Sequence, residues 1–328
     1  MTRRIVVTGG CGYIGSHVAR AFKMNGDNVI VIDRVKREHT LKDLDGFFIS
    51  DFADDDALAT IHDYSPDVIV HCAGTSLVGP SMSNPGEYYD NNIVKTIKLL
   101  NFVKDFDKKP FIMFSSSASV YGQPDHLPIP EHARKNPISP YGNTKSMTEE
   151  ILRDYWGAYA LPSMCFRYFN AAGAMPDTAD LGQEPFATHI VARVLEASLQ
   201  NRAFTINGGD FDTPDGTCVR DYVHVWDIAQ AHVKGVEYVF PAWLSGTPNV
   251  GCSTFNLGTN QGVSNKEIVD YVVEHYGLPF VNYGPTRPGD PAELIADATE
   301  AREKLSWNPQ YSDINTIIDS AYKWYVRQ

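Results

Sequence analysis

Short apolar runs alternate with longer amphipathic segments along the first half of the chain. Strands are predicted at residues 5–8, 28–33, 46–50, 67–71, 110–114 and 163–169, where β-branched and aromatic residues concentrate. Helices are predicted between them at 13–25, 54–63, 87–106 and 141–159. Continuous apolar strands separated by helices are typical of a parallel sheet that is covered on both faces.

After about residue 169 this alternation stops. Loops rich in Gly, Pro and Asp at 207–216 and 283–291 separate helices predicted at 186–200, 225–239, 265–276 and 313–325. The pattern predicts an α/β domain over residues 1–169 and a smaller α+β lobe over residues 170–328. Segments near 222–258 are expected to pack back on the sheet of the first domain.

The chain has 328 residues, and its 40 acidic residues outnumber its 28 basic ones to give a net charge of −12. It therefore has no overall basic field for nucleic acid or anionic lipid, and an anionic substrate must be held by a few placed Arg or Lys side chains. The five cysteines form no CxxC pair, which predicts reduced thiols and no metal centre. Because no segment has the apolar length of a signal peptide or a membrane span, we expect a cytoplasmic protein.

Residues 8–15 read TGGCGYIG and lie between the first predicted strand and the first predicted helix. Gly9, Gly12 and Gly15 permit a tight turn and let the backbone approach a pyrophosphate at the helix N-terminus. Asp33 ends the second strand about 20 residues further on, where such a turn predicts a carboxylate for the adenosine ribose. This favours NAD over NADP, although Arg34 follows and would attract a 2′-phosphate. The combination predicts a Rossmann-type, doubly wound α/β fold with NAD as its cofactor.

Tyr141 and Lys145, in the run SPYGNTK, are four residues apart and share one face of the predicted helix. A phenol has a pKa near 10 in water, and we expect the ammonium group and the positive nicotinamide ring to lower it so that the phenol can act as a base. Such a pair also arises by chance in a chain with 17 tyrosines. Ser117 strengthens the interpretation, because it follows a strand at the carboxyl edge of the sheet, where ligands bind in such folds.

Together these runs resemble the extended short-chain dehydrogenase/reductase family, and within it the epimerases that act at carbon 4 of UDP-hexoses. The similarity covers nearly the whole chain. It includes GGCGYIGSH, SLVGPS, YYDNN, SSSASVYG, SPYGNTK, RYFNAAGA, TPDGTCVRDYVHV and RPGDPAELIAD. The run TPDGTCVRDYVHV is the most specific, because it lies in the predicted substrate lobe. The resemblance implies bound NAD, a UDP-sugar substrate and a homodimer built on the helices predicted at 87–106 and 141–159.

The resemblance also implies a role for each matching position. Tyr141 would be the general base and acid, Lys145 its electrostatic partner and nicotinamide-ribose anchor, and Ser117 the partner of the oxygen at carbon 4. The residues implied to bind NAD are Gly9, Gly12, Tyr13, Ile14, Gly15, Asp33, Asp51, Phe52, Cys72, Ala73, Gly74, Ser76, Asn91, Tyr141, Lys145 and Phe169. The residues implied to contact the UDP-sugar are Ser117, Asn170, His189, Ile190, Arg220, Arg287, Asp290 and Leu294. The arginines would act as bidentate clamps on the diphosphate.

Several positions depart from the common pattern of these epimerases. Ser76 stands where many of them have a lysine near the NAD phosphates, which predicts weaker cofactor retention. His189 and Ile190 stand where others carry Asn-Leu, and the alternative for His189 is a helix cap or a core residue. Leu294 occupies the position that limits the sugar pocket and is intermediate in size, so the choice between UDP-glucose and an N-acetylated UDP-sugar stays open.

The implied reaction is a reversible 4-epimerisation through a 4-keto sugar, with NAD bound throughout. A nucleotide-sugar dehydratase would need an acid and a base resembling Thr-Asp-Glu in place of residues 117–119, and Ala118 and Ser119 cannot supply them. A decarboxylase would need a glutamate at position 119. A non-catalytic NAD-binding regulator is the alternative of a different class. Such proteins usually lose the tyrosine or the lysine, and both are present here.

Overall fold

A computed structural model describes residues 2–183, 187–244, 251–286 and 290–328. Its strands are β1 (Arg4–Thr8), β2 (Asn28–Asp33), β3 (Gly46–Ile49), β4 (Val68–His71), β5 (Phe111–Ser117), β6 (Ser163–Tyr168), β7 (Asn170–Ala172), β8 (Phe204–Asn207), β9 (Val219–Arg220), β10 (Tyr222–His224), β11 (Cys252–Leu257), β12 (Val263–Ser264), β13 (Val281–Gly284) and β14 (Glu293–Leu294). Its helices are α1 (Tyr13–Met24), α2 (Asp55–Tyr64), α3 (Val78–Ser83), α4 (Pro85–Tyr89), α5 (Lys95–Val103), α6 (Pro140–Tyr159), α7 (Ile190–Leu199), α8 (Val225–Leu244), α9 (Asn265–Tyr276), α10 (Thr299–Leu305) and α11 (Ile314–Tyr325).

Seven strands form one parallel sheet in the order β11-β6-β5-β4-β1-β2-β3. From β1 the chain builds outward to β3, and it then crosses to the other side of β1 to begin β4. Nucleotides bind at such a reversal, outside the carboxyl ends of the strands. Thr8 and His71, the last residues of β1 and β4, are register partners there. The predicted Rossmann-type parallel sheet is confirmed.

Alternate residues of the central strands enter two different apolar layers. Ile5 and Val7 of β1 join a cluster that contains side chains of α1 and α8, whereas Val6 joins the cluster of α2, α5 and α6 on the opposite face. All three side chains are fully buried. Each such burial contributes about 1.5–3 kcal/mol, so the helices on both faces hold the sheet and its carboxyl edge in place.

The second half of the chain contributes to both parts of the molecule. The long helix α8 packs against α1, and β11 adds a seventh strand beside β6. The helices α7, α9 and α11 surround a separate apolar cluster, next to the small sheets β10-β7, β12-β9-β14 and β13-β8. Within the described ranges, no helix combines the length and the apolar character needed to cross a bilayer.

Some predicted elements differ from the observed ones. The helix predicted at 87–106 consists of α4, a π-helical turn at Asp90–Val94 and α5; π turns of this kind are common at functional sites. The strand predicted at 110–114 continues to Ser117, because the backbone of β5 keeps pairing with β6 although its last side chains are polar. The helix predicted at 186–200 begins at Ile190, and residue 186 lies outside the described residues.

Candidate active site

A cavity of about 780 Å³ lies outside the carboxyl ends of β1, β2, β4, β5 and β6. Every residue predicted to bind NAD lines this cavity, and so do the three predicted catalytic residues. Four of the predicted substrate residues also line it, namely Ser117, Asn170, His189 and Leu294. The cavity therefore joins the predicted nucleotide site and the predicted chemical site in one space.

The glycine turn forms the wall of the cavity nearest α1. A Cβ atom at Gly15 would lie 2.2 Å from the carbonyl oxygen of Gly9, and a Cβ at Gly9 would lie 2.7 Å from the backbone of Ala73. Gly9 also has a φ of +70°, which disfavours other residues. Gly12 is the N-cap of α1, and as a glycine it has no side chain to bind the first N–H groups of this helix. The turn thus fits a dinucleotide, since a pyrophosphate needs close backbone approach at a helix N-terminus.

Asp33 lies at the end of β2 and is oriented by two backbone groups. Its Oδ2 accepts a hydrogen bond from the N–H of Cys11 at 2.9 Å, and its Oδ1 accepts one from the N–H of Val35 at 3.0 Å. The Arg34 guanidinium, which would attract a 2′-phosphate, instead lies 4.0 Å from the carboxylate of Asp51. This arrangement fixes a carboxylate at the end of β2, where it suits the ribose hydroxyls of NAD.

The opposite wall follows β4 and is held by the π-helical turn. The side chain of Asn92 accepts a hydrogen bond from the N–H of Thr75 at 2.8 Å and donates to the Thr75 carbonyl at 3.0 Å. It also donates to Thr144 of α6 at 3.0 Å. Gly74 leaves room for this contact, since a Cβ there would lie 2.8 Å from the Asn92 Oδ1. The Asn92 side chain therefore joins the segment after β4 to α6, the helix that carries Lys145.

The chemical groups meet where β5 and α6 approach each other. Ser139 caps α6 through a hydrogen bond from the Gly142 N–H, and the helix begins at Pro140, one residue before Tyr141. The Tyr141 phenol and Ser117, the last residue of β5, both line the cavity, and Ser117 lowers the pKa of the phenol as a neighbouring hydrogen-bonding group. The Ser117 hydroxyl also lies 3.1 Å from that of Ser119. The arrangement can hold a substrate hydroxyl beside an acid–base group and a second hydrogen-bonding hydroxyl.

Burial sets the electrostatics of this site in the chain without its cofactor. Removal from bulk water raises the pKa of Tyr141 to about 12, despite the hydrogen bond from Ser117, which lowers it. Burial lowers the pKa of Lys145 to about 8. The Lys145 Nζ donates to the Ser115 carbonyl at 2.7 Å and lies 5.7 Å from the centre of the phenol ring. In the chain without NAD, burial therefore keeps the pKa of Tyr141 high. The expected lowering concerns the site that also holds the nicotinamide ring, and it stays a prediction.

Sequence reasoning missed Glu149, a buried residue of α6 that holds this helix against β5. Glu149 accepts a hydrogen bond from Ser116 at 2.6 Å and two from the guanidinium of Arg167 at 2.9 and 2.7 Å. Glu149 follows Lys145 by four residues on α6, and Ser116 precedes Ser117 on β5. That spacing was the available signal, because it puts an acid on the same helix face as the catalytic pair.

The sugar end of the cavity contains fewer of the predicted contacts. Arg220 is nearly buried and donates to Asp290 at 2.9 Å, and neither residue is part of the cavity lining described above. Ile190, the first residue of α7, is also outside that lining. His189 precedes α7 with an exposed side chain that makes no capping hydrogen bond. Arg287 lies outside the described residues.

The profile of the NAD dependent epimerase/dehydratase family matches residues 5–251. The UDP-glucose 4-epimerase of Halalkalibacterium halodurans is 39% identical over 326 residues, which are 98% of this chain and 95% of that protein. The chain belongs to the NAD-dependent epimerase/dehydratase family.

Solved structures of this epimerase family share the fold along the whole chain. The UDP-glucose 4-epimerase of Brucella ovis, solved with NAD, is 37% identical with a TM-score of 0.91, and the match covers 98% of each chain. The UDP-Glc/GlcNAc 4-epimerase of Campylobacter jejuni is 34% identical with a TM-score of 0.83, and the match covers 99% of this chain and 100% of that one. The predictions of the family, of an epimerase-type enzyme and of NAD as cofactor are confirmed.

Proposed function

We propose that this epimerase catalyses the reversible 4-epimerisation of a UDP-hexose, interconverting UDP-glucose and UDP-galactose through a 4-keto intermediate. One observation carries the proposal: Tyr141 and Ser117 meet at one end of the cavity whose other end is the glycine turn. A sugar hydroxyl at that end would meet an acid–base group within the space that takes the dinucleotide. The names of the relatives described above support the choice of UDP-hexose.

The chain's own residues would hold the cofactor in a defined orientation. The glycine turn would bind the pyrophosphate, Asp33 the adenosine ribose, and Lys145 the nicotinamide ribose. When bound, NAD supplies the acceptor and donor of the C4 hydride and adds positive charge beside the Tyr141 phenol. Since the reaction has no net oxidation, we expect the cofactor to stay bound from one turnover to the next.

Tyr141 would take the proton from the sugar 4-hydroxyl and later return it to the 4-keto oxygen. Ser117 would hydrogen-bond the same oxygen in both states. Because the chain alone keeps the phenol neutral, with a pKa of about 12, its ionisation depends on the positive charge assembled when the site is filled. The 4-keto sugar would turn over within the site while its UDP group stays anchored, which exposes the other face of C4.

The UDP anchor would come from the second half of the chain. We assign Arg220 and Arg287 to the diphosphate, and Asn170 and Asp290 to the diphosphate and the uridine ribose. Arg220 and Asp290 form an ion pair at 2.9 Å, which supports a shared position beside the ligand. Binding would then replace a contact between the two side chains by contacts with the ligand. His189, Ile190 and Leu294 would border the sugar.

A dehydratase on the same scaffold is disfavoured by the residues next to Ser117. Elimination of water needs a further acid and base, and the neighbouring positions carry Ala118 and Ser119. Both line the cavity, so the place for such groups exists without the groups themselves.

An N-acetylated UDP-sugar is the second candidate substrate. Leu294 lines the cavity at the sugar end, and its side chain is neither as bulky as an aromatic residue nor as small as a glycine. The related Campylobacter jejuni enzyme is named for both glucose and N-acetylglucosamine forms. Parallel assays with UDP-galactose and UDP-N-acetylgalactosamine decide between the two substrate ranges, and comparable turnover of both would make the enzyme bifunctional.

The direct test of the proposed function is an assay without added cofactor. Purified protein should release NAD on denaturation and should convert UDP-galactose into UDP-glucose, as followed by NMR of the anomeric protons. A protein isolated without NAD that becomes active only when NADP is added would contradict the proposal.

We further propose that the protein acts in the cytoplasm as a homodimer. In each subunit, residues 1–169 would form the NAD-binding domain and residues 170–328 mainly the UDP-sugar lobe.

Exposed apolar side chains on the predicted dimer helices, among them Val94, Met147 and Tyr159, support the dimer. Light scattering should give twice the mass of one chain, and Met147→Glu should shift the protein towards the monomer. A monomeric wild-type protein would exclude the dimer.

A further inference from the structure

A lysine outside the cavity joins two of its walls. Lys95 is the first residue of α5, directly after the π-helical turn. Its Nζ donates to the Asp51 carboxylate at 2.7 Å and to the Asn91 side-chain oxygen at 2.8 Å. Asp51 and Asn91 both line the cavity, whereas Lys95 is not part of its lining. One ammonium group therefore connects the segment after β3 to the π turn.

Both partners of Lys95 are held in one orientation by further contacts. The second Asp51 oxygen accepts the N–H of Ala53 at 3.1 Å, and the Asn91 amide donates to the Thr75 hydroxyl at 2.9 Å. Burial alone would raise the pKa of Asp51, but the hydrogen bond and charge of Lys95 hold it below the usual value. The Lys95 ammonium thus favours the ionised form of Asp51 and holds its carboxylate in one orientation at the cavity wall.

The charge balance of this wall makes the contact important for an anionic ligand. Asp33 and Asp51 line the nucleotide end of the cavity together with Arg34 and Arg37, in a chain of net charge −12. Ser76 brings no charge to the opposite wall. The Lys95 ammonium lies 2.7 Å from the Asp51 carboxylate, closer than the Arg34 guanidinium at 4.0 Å. It is therefore the cation that most directly offsets the repulsion between Asp51 and a dinucleotide with two negative phosphates.

We propose that Lys95 is a positioning residue for the cofactor, which retains NAD by clamping Asp51 and Asn91 in their binding orientations. The proposal rests on the NAD site assigned above. Lys95 touches neither the dinucleotide nor the sugar, and it acts through the two residues that would.

Lys98 offers a matched control on the same helix. It lies less than one turn further along α5 and forms a 2.9 Å ion pair with Asp55, which is exposed at the surface. Lys95→Met and Lys98→Met therefore remove the same charge, the first with its contacts to Asp51 and Asp90 and the second with its contact to Asp55. Only Lys95→Met affects residues of the cavity wall. Lys95→Arg keeps a cation that can bridge both oxygens.

The test measures exchange of bound NAD in the purified holoenzyme against an excess of isotope-labelled NAD, followed by mass spectrometry. We expect Lys95→Met to exchange NAD about tenfold faster than wild type, which corresponds to the loss of one hydrogen bond to a charged group. Lys98→Met and Lys95→Arg should stay within about twofold. With millimolar NAD added, Lys95→Met should regain wild-type turnover of UDP-galactose. Its unfolding midpoint without added NAD reports any general loss of stability.

Three results would overturn the proposal. Lys95→Met could exchange NAD at the wild-type rate, or Lys98→Met could accelerate exchange equally, which would reduce the effect to total charge. In the Asp51→Asn background, Lys95→Met should have a smaller effect, and an undiminished effect would show that Lys95 does not act through Asp51. A wild-type protein without NAD would instead refute the proposed NAD site itself.

Discussion

The two ends of the cavity are built in different ways. At the nucleotide end, the shape comes from the backbone, because Gly15 approaches Gly9 closely and Asp33 is held by two N–H groups. At the sugar end, side chains dominate, and two of them, Arg220 and Asp290, bind each other. A backbone-built site is preorganised for its ligand, whereas a side-chain site must exchange its internal contacts on binding. We therefore expect changes at the nucleotide end to abolish cofactor binding, and changes at the sugar end to weaken substrate binding.

The largest effect is expected from a single methyl group at the nucleotide end. In Gly15→Ala the Cβ would lie 2.2 Å from the Gly9 carbonyl oxygen, so the turn must move away from the pyrophosphate position. Overpacking of this kind costs about 3 kcal/mol, and we expect NAD affinity to fall at least about a hundredfold. NAD released per purified chain measures this. Gly157→Ala is the control, because a Cβ there has open space, and normal NAD content in Gly15→Ala would break the comparison.

The chemical end is expected to respond in kcat rather than in cofactor content. Ser117→Ala removes the hydrogen bond to Tyr141 and the proposed contact to the sugar oxygen, and should lower kcat about a hundredfold with NAD retained. The neighbouring Ser116→Ala should instead lower thermal stability, because Ser116 donates to the buried Glu149 at 2.6 Å. If Ser116→Ala lost activity and Ser117→Ala did not, the assignment of the third serine would be wrong.

Acid should lower the free energy of unfolding through His71, a histidine that is buried beneath the nucleotide end. His71 hydrogen-bonds Thr8 at 2.8 Å and Thr96 at 2.9 Å, and burial lowers its pKa to about 3. Between pH 3 and 6.5 the unfolded chain binds a proton that the folded chain refuses. The stability from this group is complete above pH 6.5 and is lost as the pH falls, by up to about 1.4 kcal/mol per pH unit.

Urea unfolding between pH 6.5 and 4.5 tests this histidine. His71→Asn should be less stable than wild type at pH 7 but should lose less stability on acidification. His126→Asn, at an exposed position, should keep the wild-type slope. Equal slopes for wild type and His71→Asn would rule out this source of acid sensitivity.

The smallest of these effects is expected at the sugar end. Arg220→Lys keeps the charge but loses the bidentate geometry of the guanidinium, and we expect KM for UDP-galactose to rise about tenfold. NAD content and kcat should not change, since Arg220 is not among the residues that line the cavity. Arg153→Lys, at an exposed ion pair with Glu150, serves as the control. A fall in NAD content in Arg220→Lys would show that the two ends are not independent.

The position of the glycine turn, Asp33 and the proposed catalytic groups at one cavity could be predicted from the sequence, because each depends on neighbouring residues in one strand, turn or helix. Gly9 to Gly15, Asp33 and the Tyr141–Lys145 pair are of this kind. The contacts of Lys95 could not be predicted, because they follow from a π turn that the apolar pattern does not reveal.

The pairing of Arg220 with Asp290 joins residues 70 positions apart, and no local pattern indicates it. The raised pKa of Tyr141 depends on how the folded chain excludes water from the phenol. The spacing of Tyr141 and Lys145 shows only that a lysine lies near the phenol, and it does not show how much water reaches the phenol. Contacts between distant segments and the balance of burial against charge are therefore what the sequence leaves open.

The measurement that tests the central claim most directly compares wild type with Tyr141→Phe in the conversion of UDP-galactose, together with the NAD content of both proteins. We predict that the variant retains NAD and binds UDP normally but turns over at least about a hundredfold more slowly, because it lacks the group that moves the 4-hydroxyl proton. A variant that converts UDP-galactose at close to the wild-type rate would contradict the assignment of Tyr141 as the acid–base residue of this epimerase.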